Sequence, residues 1–247
     1  MWSESGTIGN GHETRRPLMI AHIRQRRIAP ALQAVPVLLF SIGLLIPGCR
    51  ESNEIAAADL EKAVRLGDVA KVEQMLKDAP ELLAERYDSR RTLLHVAAAT
   101  GQVPVIELLI AKGAEIEALD DRSRTPLLHA ATHRKPSAAR CLLGHGANIL
   151  HKDVDGHTAL HRAAESDRAK TVALLIKQGA EVNTKLQHGT TPLHSALLLG
   201  FEDVAALLLE AGADAAARTD DGNTPLAIAR SKARRDLIDL LLKHGAK

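Results

Sequence analysis

The chain has 247 residues, of which 45% are hydrophobic, so it can bury a sizeable core in one or two domains and is not mostly disordered. Four residues are aromatic whereas 40 are Ala and 37 are Leu, a composition that excludes β-sandwiches and aromatic platforms for single-stranded nucleic acid and favours helices. The net charge is +2, and the arginines concentrated before residue 48 leave the remainder near neutral, without the basic footprint of nucleic-acid-binding proteins.

An uncharged run of 22 residues lies in the N-terminal region, from Ile28 to Cys49. Three arginines precede this run, and a basic region followed by an apolar one is the order of a secretory signal peptide. We therefore expect residues 1–48 to direct export, with the arginines kept on the cytoplasmic side. A start at Met19 would shorten the basic region, and we expect the true start to lie there.

Residues 46–49, Ile-Pro-Gly-Cys, resemble the lipobox of bacterial lipoproteins. The resemblance implies cleavage before Cys49, lipidation of Cys49 and a short tether at residues 49–54. Pro47 stands where that family usually has a small or aliphatic residue, and an uncleaved signal anchor crossing about 30 Å of hydrocarbon is the alternative. Either form predicts an exported, membrane-anchored protein on the periplasmic side of the bacterial cell envelope, and leaves the inner and the outer membrane both open.

A period of 33 residues organises the rest of the chain. The threonines that mark it are Thr92, Thr125, Thr158, Thr191 and Thr224. Gly-Ala pairs recur with the same period and begin at Gly113, Gly146, Gly179, Gly212 and Gly245. Two markers in register over five units indicate an array of repeats, in which each unit buries its apolar faces against its neighbours.

Each unit has the start and stop signals of two helices. Thr followed by Pro, as at Thr191-Pro192, is an N-cap with a proline at the first helical position. About nine residues later a glycine such as Gly200 provides a turn, and an apolar segment with helical spacing follows it. The glycine of each Gly-Ala pair is expected to end this second helix in the left-handed conformation.

Residues 191–196, Thr-Pro-Leu-His-Ser-Ala, resemble the T-P-L-H-x-A motif of ankyrin repeats. The resemblance covers residues 55–247 and implies an all-α repeat solenoid of stacked helix-turn-helix units joined by β-turn or hairpin loops. It divides the chain into six units, at residues 55–88, 89–121, 122–154, 155–187, 188–220 and 221–247. The third unit departs from the motif, since Leu128 replaces its histidine and Arg134 its turn glycine.

The family binds partner proteins through its hairpin tips and first helices, so the resemblance implies a protein partner and neither nucleic acid nor a small-molecule substrate. The residues that match these variable positions are Ser89, Arg91, Arg122, Arg124, His133, Asp155, His157, Glu165, His188, Leu198, Asp221 and Asn223. Basic residues concentrate in the second and third units. We therefore expect them to accept an acidic loop of the partner, with Leu198 as a nearby apolar contact.

Twelve histidines make metal binding an alternative. Two pairs have the i, i+4 spacing that places both rings on one helix face, His129 with His133 and His157 with His161. The resemblance instead implies that the motif histidine hydrogen-bonds the backbone between units. No hydrolase, phosphate-binding or metalloprotease motif is present, so the sequence predicts no catalytic residue, metal or cofactor. Two alternatives stay open, a signal-anchored periplasmic subunit or inhibitor of an enzyme and a metal-responsive binder.

Overall fold

A computed structural model describes the backbone of residues 47–246 and the side chains of residues 54–246. Within these residues it has no extended strand and twelve α-helices, none of them long and apolar enough to cross a membrane. The helices are α1 (Pro47–Leu66), α2 (Val69–Asp78), α3 (Leu93–Thr100), α4 (Val103–Ala111), α5 (Pro126–Thr132), α6 (Pro136–Gly144), α7 (Ala159–Glu165), α8 (Ala169–Lys177), α9 (Pro192–Leu199), α10 (Glu202–Glu210), α11 (Pro225–Ser231) and α12 (Arg235–Lys243).

Consecutive helices form six pairs, and each predicted unit contains the second helix and most or all of the first helix of one pair. The first helices of the pairs pack on one another in one row, from α1 to α11, and the second helices pack in another row, from α2 to α12. This arrangement confirms the predicted all-α repeat solenoid. The export segment expected before residue 47 lies outside the described residues.

The first helix begins earlier than the sequence predicted. It starts at Pro47, so the residues expected to form a tether, 49–54, lie within α1. No Gly or Pro occurs between Arg50 and Leu66, and a stretch without these two residues lets a helix extend beyond the part that packs against its neighbours. Lipidation of Cys49 stays a prediction.

Threonine caps start the first helices as predicted. The side chain of Thr191 accepts a hydrogen bond from the backbone N–H of His194, and the Nδ1 atom of His194 accepts one from the Thr191 N–H at 3.3 Å. Thr158 with His161 and Thr92 with His95 make the same reciprocal cap. Because Nδ1 accepts, the ring proton of each histidine belongs on Nε2.

Glycines end three of the first helices, α1, α3 and α9, where a left-handed residue is needed. Gly101 has φ +78° and Gly200 has φ +79°, a region that side chains with a Cβ rarely adopt. A Cβ at Gly101 would also collide with the side chain of Lys135, which lies over this turn from the next unit. Asp167 holds the same kind of conformation without a glycine, at φ +55°.

The core is one continuous cluster of Leu, Ala, Val and Ile side chains that runs from the first unit to the last. One leucine position recurs every 33 residues and is at most 2% exposed, at Leu94, Leu127, Leu160, Leu193 and Leu226. Alanines fill much of the space between the first helices, which allows these helices to approach closely. The stacked units therefore form a rigid support for the loops between them.

Candidate functional site

The loops between units are hairpins that lie beside the first helices. The hairpin at residues 153–157 is closed by the Asp153 N–H, which donates to the His157 carbonyl at 3.1 Å. It is joined to the preceding hairpin by the Val154 N–H, which donates to the Arg122 carbonyl. We call the surface formed by hairpins 87–91, 120–124, 153–157, 186–190 and 219–223, together with the solvent side of α3, α5, α7, α9 and α11, the hairpin–helix face.

A buried aspartate anchors the hairpin of the third unit. Asp120 accepts hydrogen bonds from the backbone N–H groups of Arg122 and Arg124, at 2.9 and 2.8 Å. Its second oxygen accepts from the Arg124 Nε at 2.8 Å and from the His129 Nε2 at 2.9 Å. Burial opposes ionisation of Asp120, but these hydrogen bonds outweigh it and lower its pKa to about 2. Asp120 is therefore a charged anchor inside the fold.

The next unit repeats this anchor with two side chains exchanged. Asp153 accepts from the backbone N–H groups of Asp155 and His157 and from the Nε of Arg162. The third unit places Arg in the hairpin and His on the helix, whereas the fourth places His157 in the hairpin and Arg162 on α7. Burial would raise the pKa of Asp153, but the bonds from Arg162 and the His157 backbone hold it below its usual value.

Charged side chains extend from the second anchor across three units. Asp155 pairs with Arg122 of the preceding unit and lies 3.7 Å from Arg162. Glu165 lies 3.1 Å from the His157 Nε2 and 3.7 Å from Arg162. Ser195 of the fifth unit donates to Glu165 at 3.4 Å. We call this set the charge network, and its members are Arg122, Asp153, Asp155, His157, Arg162, Glu165 and Ser195.

Four of the predicted partner-binding residues meet in this network. They are Arg122, Asp155, His157 and Glu165. The residues that join them, Asp153, Arg162 and Ser195, were not among the predicted partner-binding residues. The 33-residue period could have indicated Asp153, because Asp120 and Asp153 lie 33 residues apart and occupy the same hairpin position.

The other predicted residues lie apart from the charge network. Arg124 belongs to the Asp120 anchor, and the Arg91 Nε donates to the Asp88 carbonyl at 3.0 Å. The His133 Nδ1 donates to the His129 carbonyl at 2.8 Å. The remaining five lie on hairpins or on the exposed end of α9: Ser89, His188, Leu198, Asp221 and Asn223.

Fewer unpaired positive charges lie on these hairpins in the structure than the sequence predicted. Arg122 and Arg124 each pair with an aspartate, which neutralises both charges locally. Arg134 and Lys135 lie at the turn between α5 and α6 and not on a hairpin. Within the described part of the chain, the unpaired positive charge of the hairpins before α5 lies mainly at residues 90 and 91.

Three side chains place possible metal ligands close together. The carboxylates of Asp153 and Asp155 and the ring of His157 have ligand atoms within 4.8 Å of one another. Arg162 pairs with both carboxylates, and Arg122 pairs with Asp155. Because guanidinium groups already supply the positive charge that a cation would bring, we do not identify these residues as metal ligands.

The motif histidines are buried and neutral. The His95 Nε2 donates to the Arg124 carbonyl of the next unit at 2.9 Å, as the resemblance implies. The Nε2 atoms of His161 and His194 have no partner within 3.5 Å among the described residues. The backbone of Thr190 and Asn223, equivalent to that of Arg124, nevertheless lies near enough to act on the pKa of these rings. Burial lowers the pKa of all three, to about 4 for His161. These rings support the fold.

Removing the second anchor is expected to destabilise the protein strongly. In Asp153→Ala two backbone N–H groups and Arg162 lose their acceptor, and we expect the free energy of unfolding to fall by about 3 kcal/mol. Asp155→Ala removes a half-exposed ion pair in the same hairpin and should cost less than about 1 kcal/mol. Urea unfolding of both variants measures the difference, and equal losses would contradict the anchor role.

Comparisons with known proteins agree with this architecture. A family model described as ankyrin repeats, in three copies, matches residues 60–153, 94–186, 149–219 and 179–247. An ankyrin repeat domain from Acinetobacter baumannii AYE, solved as a crystal structure, is 34% identical with a TM-score of 0.68, over 76% of this chain and 98% of that one.

Curated relatives are similar over shorter stretches. The E3 ubiquitin-protein ligase XB3 of Oryza sativa subsp. japonica is 37% identical over 31% of this chain and 17% of its own length. The serine/threonine-protein kinase VIK of Arabidopsis thaliana is 40% identical over 28% of this chain and 16% of its own. The chain therefore spans about a sixth of the length of these relatives, and the activities in their names are theirs.

Proposed function

This chain belongs to the ankyrin repeat family, and from that premise we propose that it is a non-enzymatic protein that holds a partner protein on its hairpin–helix face, close to a bacterial membrane. Ankyrin repeats indicate a protein–protein interaction module. The observation that carries the proposal is the charge network, which joins polar side chains of three successive units beneath the exposed ends of Arg122 and Asp155.

The charge network is suited to recognition because its base is rigid. Asp153 fixes the hairpin to α7, so Arg122 and Asp155 present their exposed ends in a set geometry. A preorganised surface loses little side-chain entropy when a partner binds. Leu198 lies 33 residues after Glu165, at the same helix position, and it is 55% exposed. We infer that Leu198 is the apolar contact beside this polar surface.

The charges of the hairpins before α5 favour an acidic segment of the partner. Arg90 is exposed, and neither it nor Arg91 forms an ion pair within the described residues. A partner carboxylate can therefore approach these two guanidinium groups without displacing an internal one. Electrostatic complementarity of this kind raises the association rate and fixes the orientation of the complex.

The proposed role is non-enzymatic because the polar side chains of the face are engaged with one another. Asp155 and Glu165 pair with arginines, and the ring of His157 lies between two carboxylates. A general base or nucleophile needs a free lone pair directed at a substrate. The ligase and kinase activities of the curated relatives belong to proteins of which this chain spans about a sixth.

We propose that the partner is held at the membrane through Cys49. The lipobox-like residues 46–49 support a lipid anchor, and α1 begins at the same place, so the first unit would stand next to the bilayer. An uncleaved signal anchor, with the chain acting as a subunit or inhibitor of a periplasmic enzyme, is the alternative form. Both forms orient the hairpin–helix face on the periplasmic side.

Crosslinking in intact cells tests the face with a matched pair of variants. Leu198→Asp changes an exposed leucine of the hairpin–helix face, and Leu242→Asp changes one of similar exposure on α12. We expect the crosslinked partner to fall about tenfold for Leu198→Asp and to stay unchanged for Leu242→Asp. Thermal unfolding should show both variants folded. Equal capture by the two variants would contradict the proposed face.

The anchor is tested separately with Cys49→Ala. Wild type should take up a fatty-acyl label that Cys49→Ala does not, and only wild type should sediment with membranes. Sedimentation of both proteins without label would favour the signal anchor. A soluble wild type without label would overturn membrane tethering and leave the test of the face intact.

A further inference from the structure

The ring of His157 lies between two carboxylates. Its Nδ1 is 3.3 Å from the Asp153 Oδ1, and its Nε2 is 3.1 Å from the Glu165 Oε1. A neutral imidazole has one N–H donor and one lone pair, whereas an ionised carboxylate only accepts hydrogen bonds. A neutral ring would therefore direct a lone pair at one of the two carboxylates, and only the protonated ring satisfies both contacts.

The other histidines of this surface are bonded differently. His129 has one carboxylate contact, from Nε2 to Asp120, which a neutral ring can make. The Nδ1 atoms of His95, His161 and His194 accept backbone N–H groups, which requires an unprotonated nitrogen. Among the described histidines, His157 has a geometry that calls for the charged form.

Further titratable groups surround this ring and shift the pKa of His157 in opposite directions. Arg162 on α7 repels a charged imidazole, but its guanidinium is paired with Asp153 and Glu165. The ring of His161 lies edge-on at 6.1 Å, and its burial keeps it neutral. The hydrogen bond to Glu165 outweighs partial burial and raises the pKa of His157 above 6.5. The pKa of Glu165 is held below its usual value, although burial opposes this.

We propose that His157 is a pH-dependent clamp, which adds a second link between the hairpin at residues 153–157 and α7, beside the Asp153–Arg162 pair, while its ring is protonated, and weakens that link when the ring loses its proton. The clamp goes beyond the proposed partner binding and does not depend on it. With the ring protonated, three positive groups of the charge network face three carboxylates, so the network is neutral. Loss of the proton leaves a net charge of about −1 on the charge network, which disfavours the approach of a carboxylate to this part of the hairpin–helix face.

The direction of the effect on stability follows from linkage. The ring binds its proton more tightly in the folded than in the unfolded chain, where its pKa is 6.5. Its contribution is therefore fully present below pH 6.5 and is lost as the pH rises through the folded pKa. Ser195 of the next unit also donates to Glu165, so the carboxylate that holds the ring links the fourth and fifth units.

Nuclear magnetic resonance titration of the imidazole nitrogens in the full chain tests the clamp. We expect His157 to titrate above pH 6.5, and Glu165→Gln to lower the midpoint by about one pH unit, a tenfold change in proton affinity. Ser195→Ala, which changes the outer contact of Glu165, should leave the midpoint above 6.5. A wild-type midpoint at or below 6.5, or one unaffected by Glu165→Gln, would overturn the proposal.

A stability measurement keeps the proposal testable if Glu165→Gln fails to fold. Wild type should be more stable than His157→Gln at pH 6, and this difference should shrink at pH 9. A difference that is constant with pH would contradict the clamp. Both measurements are repeated with EDTA, and a midpoint that moves on chelation would overturn it in favour of a bound metal.

Discussion

Replacing Leu160 by Ala is expected to lower the free energy of unfolding by about 3 to 5 kcal/mol. Leu160 is 1% exposed near the start of α7 and packs in the middle of the row of first helices. The substitution removes buried apolar surface and leaves a cavity. The neighbouring first helices, α5 and α9, are held in place by their own contacts. They therefore cannot move inward to close the cavity beside α7.

Leu160→Ala is also expected to change the shape of the unfolding curve. Units in a solenoid contact only their neighbours, so weakening the fourth unit should uncouple the first three units from the last two. Circular dichroism during urea unfolding should then show two transitions in Leu160→Ala and one in wild type. Leu198→Ala is the control, because that leucine is half-exposed and its loss should cost less than about 0.5 kcal/mol. A loss below about 1.5 kcal/mol for Leu160→Ala would contradict this account.

The helical architecture could be predicted because its signals are local and repeated. The Thr191 cap, the Gly200 turn and the leucine spacing each act within a few residues, and the structure contains all of them. Repetition at 33 residues then indicates stacking, because no unit can bury its apolar faces alone. The start of α1 was not predicted. Capping and packing signals mark where a repeat unit begins, but they do not show how far a helix extends beyond the part that packs against its neighbours.

The charge network could be predicted only in part. Charged hairpin residues such as Asp155 are visible in the sequence as candidates for a surface. Their partners depend on which side chains of adjacent units meet across the stack, and that pairing is a property of the three-dimensional register. Asp153 shows the difference, because it is buried and paired with Arg162, a contact that its place in a turn does not predict. The exchange of Arg124 with His157 and of His129 with Arg162 is visible at the 33-residue spacing, but the contacts of these side chains with the buried aspartates are not.

The protein is also expected to lose stability as the pH falls from 6.5 to 4, because buried histidines stay neutral in the fold. Burial lowers the pKa of His129 and of His161 to about 4, from 6.5 in the unfolded chain. Between these values the unfolded chain binds more protons, so acidification favours unfolding. Each of the two histidines is expected to contribute about 3 kcal/mol to this loss, and His95 and His194 act in the same direction.

His161→Asn separates this effect from general acid sensitivity. The Asn oxygen can accept the Thr158 N–H in place of Nδ1, and it does not titrate. Urea unfolding between pH 4.5 and 6.5 should show a slope smaller than that of wild type by up to about 1.4 kcal/mol per pH unit. Asp120 does not affect this comparison, because its contribution to stability is lost between about pH 4 and pH 2, below the range measured. An unchanged slope in His161→Asn would mean that its ring takes up a proton as readily in the fold as in the unfolded chain, and would contradict its share of this loss.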